Sequence, residues 1–157
     1  MKLLRLVLFV TLSMMALSAH TASTACDAAC KEAQINAYFD RLSEVYREGS
    51  ARADIDRFFE LFAPNVRYVH MEYDANFERA EWKGAFIGNL ERGAYKKDDN
   101  ELIEVTEIIH GRSHSAVEYR YMRRTKDGEM EPADDQGGLL ALFGFEGEQI
   151  VLIEEYW

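Results

Sequence analysis

The hydrophobic period of this chain changes about halfway along it, and that change limits the available folds more than any other feature. Up to about residue 90 the apolar residues recur every three or four positions. Ile35, Tyr38, Phe39, Leu42, Val45 and Tyr46 form a stripe on a helix of roughly four turns, which Gly49 is placed to end. Ile55, Phe58, Phe59 and Phe62 repeat the pattern on a second helix, with Asp54 as its cap and Pro64 as its stop. A short strand follows over Val66 to Met71. A third helix runs from about Phe77 to Leu90, with Trp82, Phe86 and Leu90 a turn apart on one face. From Glu101 onward the period becomes two. "ELIEVTEIIH" alternates, "GRSH" turns it back into the alternating "SAVEYRYMRR", and "TKDGE" carries the Asp-Gly pair that suits a tight hairpin turn. "GLLALFGF" and "QIVLIEEYW" make a last pair joined around Gly147. Helices first and strands afterwards predict an α+β fold, three N-terminal helices packed on a curved antiparallel sheet. Such a bent sheet under helices leaves a cone with an open mouth, a common place for a ligand.

The start of the chain is of another kind. Lys2 and Arg5, the apolar run Leu6 to Leu17 and a small-residue stretch ending "STAC" have the parts of a secretory signal over 1–25. The apolar run falls short of the roughly 20 residues a membrane span needs, so no span is expected. A secreted or periplasmic protein follows, with its folded domain over 31–157. Cys26 and Cys30 are the two cysteines of the chain. At four residues' spacing on a helix they are close enough to bridge in an oxidising compartment. A lipid anchor on Cys26 is the other reading, although Ser23 stands where such signals usually carry Leu. Loss of Lys2 and Arg5, with no acid removed, takes the formal charge from −10 to −12. Phosphate backbones repel so acidic a chain, so no nucleic-acid partner is expected.

The element order, "DIDRFFELFAPNVRYVH" and the terminal "IVLIEEYW" resemble the nuclear transport factor 2-like superfamily, in its SnoaL-like and ketosteroid-isomerase-like branch. The likeness runs from Gln34 to Trp157. It implies a cone-shaped α+β barrel, a pocket between sheet and helices for a small hydrophobic molecule, no cofactor, and a homodimer through the outer face of the sheet. In isomerase-like members a motif similar to "LFAPNVRYVH" ends on a catalytic carboxylate inside the pocket. His70 holds that position here. A neutral imidazole can take and return a proton near pH 7, which makes His70 the candidate base. Tyr38 falls near the place of an oxyanion-binding tyrosine. The pattern departs at "GLLALFGF", which lacks the carboxyl that gives isomerases their second donor.

Other side chains enter as wall. On a strand Tyr68 shares a face with His70. With Trp82, Phe86, Tyr119, Phe143 and Trp157 it makes up the expected ligand-binding set. His70, Glu72 and Asp74 alternate, and His110 and His114 flank a turn, but their spacing is no compact metal motif, so no metal is expected. No nucleophile elbow and no phosphate-cradling glycine loop occurs. Two classes remain open: cofactor-independent proton transfer of isomerase, cyclase or dehydratase type, and a non-catalytic ligand-binding or dimerising accessory module of the cell envelope.

Overall fold

A computed structural model describes residues 25–96, 101–133 and 137–157. The expected signal segment lies outside the described residues up to position 24. Helix α1 (Ala28–Tyr46) begins where the Asp27 carboxylate accepts the Cys30 amide at 2.9 Å. It ends at Arg47, whose extended backbone breaks the helix two residues before Gly49. Cys26 and Cys30 are bridged, with Cα atoms 5.3 Å apart. Helix α2 (Arg52–Phe59) starts one turn earlier than its expected cap. Asp54 sits three residues inside the cap position and its carboxylate accepts the Ala51 amide at 2.8 Å.

Strand β1 (Phe62–His70) corrects the expected helix stop. Pro64 does not end α2 but lies inside the strand. The ladder of β1 is irregular between Phe62 and Arg67, so a residue without an N–H loses no regular bond there. A short strand, β2 (Ala75–Glu78), turns back along β1 and was not foreseen; the third helix, α3 (Arg79–Glu91), starts after it rather than at Phe77. The rest follows the expected order: β3 (Glu101–His110), β4 (His114–Arg124), β5 (Met130–Pro132), β6 (Leu139–Glu146) and β7 (Gln149–Tyr156).

The seven strands form one open sheet in the order β2-β1-β7-β6-β4-β3, with β5 paired to β4. The sheet is mixed rather than wholly antiparallel, because β1 and β7 run parallel. The three helices cover its concave face. Ile35, Tyr38, Phe39, Leu42 and Val45 from α1 meet Ile55, Phe58 and Phe59 from α2 and the inward residues of β4, β6 and β7 in one core. Phe58, Phe59 and Phe62 pack edge-on or tilted around Trp82 at 4.9 to 5.7 Å. This aromatic wedge holds α3 against β1 and leaves a gap on the far side of Trp82.

Candidate active site

That gap is a cavity of about 220 Å³ between α1, α3 and the ends of β1 and β7. Period two along β1 points Val66, Tyr68 and His70 inward together, as expected. His70 is 3% exposed. Its ring lies 4.3 Å from Tyr73 and 4.4 Å from Trp157, and neither ring nitrogen has a hydrogen-bond partner. A buried imidazole without partners is costly to charge. Burial accordingly lowers the His70 pKa, against a smaller opposite pull from Glu72.

Beside it on β7 stands a residue that sequence reasoning passed over. Glu155 pairs with His70 in the parallel β1–β7 register and is 5% exposed. The Tyr68 hydroxyl donates to its Oε2 at 2.5 Å, and the Tyr119 hydroxyl reaches Oε1 at 3.3 Å. The Tyr38 hydroxyl lies near enough to this carboxyl to favour its charged form. Burial raises the Glu155 pKa, and the hydroxyls only partly offset it by supporting the charged form. In turn, burial first and the Glu155 charge second push Tyr38, Tyr68 and Tyr119 upward, so these phenols stay protonated donors. One signal did point to Glu155: Ile153 and Glu155 are two apart on a strand, so an inward Ile153 implies an inward Glu155.

The expected site residues separate into two groups. Tyr38, Tyr68, His70, Trp82, Phe86 and Trp157 line the one cavity, together with Leu42, Tyr46, Tyr73 and Tyr121, which were not foreseen. Tyr119 lies behind Glu155 and supports it rather than forming the wall. Phe143 is corrected outright. It is fully buried in the core beneath α1, with its ring 5.0 Å from Tyr38 and 5.9 Å from Phe39. Inward pointing on a central strand made it a core residue, because α1 covers that part of the sheet. Tyr38 is in the wall, with its hydroxyl near Glu155. Trp82 stacks on Tyr68 at 4.7 Å, holding that phenol in place. The Trp157 Nε1 is buried without a well-aligned acceptor, near enough to the Tyr119 hydroxyl to lower its pKa slightly.

His110 bonds Ser115 and His114 bonds Ser113, each at 3.0 Å through Nδ1. Among the described residues no group of three or more His, Cys, Asp or Glu is placed to hold a metal.

Solved structures share the fold. An epoxide hydrolase/cyclase-like enzyme of pyran ring formation in polyether salinomycin superposes with a TM-score of 0.56 at 17% identity, over 83% of this chain and 92% of its own. The chain has the nuclear transport factor 2-like fold. Others with that fold are a polyketide cyclase-like protein from Sinorhizobium meliloti (TM-score 0.51, 17% identity, 79% of this chain and 94% of that one) and a hypothetical protein with a ketosteroid isomerase-like fold from Catenulispora acidiphila DSM 44928, solved with trimethylamine (TM-score 0.51, 17% identity, 79% and 84%). Neither a family model nor a curated protein matches the chain.

Proposed function

We propose that this protein binds a small, largely apolar carbonyl compound in the cavity and moves a proton on it without a cofactor, in the manner of an isomerase, cyclase or dehydratase. One observation carries the reading. Two titratable groups stand on adjacent strands at one cavity wall, and burial shifts the pKa of each in the direction that favours its neutral form. The neutral imidazole of His70 is the base, and the buried Glu155 carboxyl, in its protonated form, is the donor to a developing oxyanion. Glu155, held by the Tyr68 and Tyr119 hydroxyls, thus takes the donor role that the resemblance assigned to Tyr38. Export and pairing into a homodimer belong to the same proposal. They are supported by the charged, apolar and small-residue order of residues 1–25 and by apolar side chains on the outer sheet face.

The test is solvent deuterium exchange at the α-carbon of small ketones, followed by NMR. At least one ketone that fits the cavity is expected to exchange faster with protein than in buffer. His70→Ala should cut that rate by about 100-fold or more, the usual worth of a positioned base. Equal rates in His70→Ala and the parent protein would sink the assignment.

A second reading, non-catalytic binding of a small organic cation, has its own observation. Among the described residues no Lys or Arg lines the cavity, so the carboxyl of Glu155 lacks a counter-charge among eight aromatic side chains. Ring faces and a carboxylate both attract alkylammonium groups, and the trimethylamine in the Catenulispora protein accords with that chemistry. Trp82 and Trp157, the two tryptophans of the chain, both line the cavity, so their emission reports its occupancy. Saturable shifts with tetramethylammonium, but with no ketone, favour this reading over catalysis.

A further inference from the structure

The outer side of α3 carries a second concavity that the cavity chemistry does not use. Trp82 and Phe86 face the cavity, whereas Arg79, Lys83 and Ile87, four residues apart, line a groove on the other side of the helix. The groove has a volume of about 910 Å³ and is closed by the Pro64–Arg67 part of β1 and by Arg52 at the start of α2.

Four cations therefore border one groove in a strongly acidic chain: Arg52, Arg67, Arg79 and Lys83. Two acids oppose them. Glu78 lines the groove, and Asp56 pairs with Lys83 at 2.6 Å. Two positive charges remain in excess. The cationic heads are held in place before any ligand arrives. The Arg79 Nη2 donates to the Phe59 carbonyl at 2.6 Å. Arg79 and Lys83 both stand over the Phe59 ring, 5.5 and 5.6 Å from its centre, and Arg67 donates to Asn76. Like charges one turn apart on a helix repel, and here they are fixed side by side. The Arg79 Nε is buried with no acceptor, an N–H that a protein normally satisfies. The groove also has apolar lining, with Pro64, Ala80 and Ile87. Gly84 leaves it open, since a Cβ there would meet nothing within 4 Å.

We infer that this groove binds an amphiphilic monoanion, a carboxylate with a hydrocarbon tail. The guanidinium forks recognise the carboxylate, and the apolar lining takes the tail. Glu78 at the rim disfavours more highly charged anions. The inference is independent of the cavity's chemistry.

The probe is decanoate, measured by isothermal titration calorimetry against decanol, its neutral counterpart of equal chain length. Decanoate is expected to bind saturably at one site and at least tenfold more tightly than decanol. Arg79→Gln with Lys83→Gln should weaken it at least tenfold. Gly84→Phe, whose Cβ has open space, puts a ring into the groove, should keep the fold by thermal melting, and should weaken binding at least tenfold. Three results would overturn the inference: no heat from decanoate at millimolar concentration, equal binding of decanol, or undiminished binding in Gly84→Phe, which would place the anion elsewhere.

Discussion

His70 and Glu155 occupy paired positions on parallel strands, and their environments move their pKa values in opposite directions. The consequence for stability has a definite sign. His70 titrates below its ordinary 6.5 in the folded chain, so the unfolded chain takes up the proton first as pH falls. Stability is therefore lost as pH drops through 6.5 towards the folded value. Glu155 works the other way. Its folded pKa lies above 4.5, so its penalty is absent in acid and appears as pH rises through the folded value. Thermal melting between pH 4 and 8 should show a shallower loss below pH 6.5 in His70→Gln than in the parent protein. An identical acid limb would mean that His70 is readily protonated in place. Tyr68→Phe removes the 2.5 Å donor to Glu155 and, by leaving a buried acceptor unsatisfied, should cost about 1 to 3 kcal/mol. Urea unfolding measures it. His70 was legible in the sequence through the strand that ends on it, whereas Glu155 was hidden in the pair Glu154-Glu155. One of that pair points outward to the Tyr156 hydroxyl and the other inward. Adjacent identical residues on a strand differ only in phase, and the phase is set by pairing with neighbours.

At the scale of elements, α3 is the partition between cavity and groove. Its attachment rests on Trp82 and Phe86 against the aromatic cluster of Phe58, Phe59 and Phe62. Trp82→Ala should cost about 3 to 5 kcal/mol and enlarge the cavity, because a rigid cluster collapses poorly around a lost ring. Equilibrium urea unfolding checks the first part. A loss below about 1 kcal/mol would mean that α3 is held chiefly elsewhere. The helices were legible because three-to-four periodicity is a local signal. Their ends were less so. Gly49 and Pro64 look like stops, yet Arg47 and Glu60 end the helices, since the chain must already be extended by Phe62 to join the sheet. The β2 strand, "ANFE", is too short and polar to announce itself, and it exists only because β1 offers an edge.

At the scale of the whole molecule, the convex face of the sheet bears on assembly. Leu140 and Tyr156 are cross-strand partners, 46% and 42% exposed, and Leu102 is exposed on β3. Adjacent exposed apolar side chains on a sheet face favour burial by a second copy. The proposed homodimer should appear as about twice the 18.1 kDa chain mass, less any cleaved leader, in sedimentation velocity. Leu140→Glu should shift it to monomer. A monomer in the parent protein at high concentration would remove the proposal.

The sequence by itself determined the class of the fold, the order of its elements, the inward face of β1 and an acidic surface. All of these depend on local period or on composition, which need no knowledge of distant residues. Tertiary structure alone decided the parallel meeting of β1 and β7. It brought Glu155 beside His70, set the Tyr68 hydroxyl on that carboxyl and sent Phe143 into the core. Residues 85 positions apart become neighbours only when the last strand enters the sheet beside the first long one. The chemistry of the site depends on that long-range pairing.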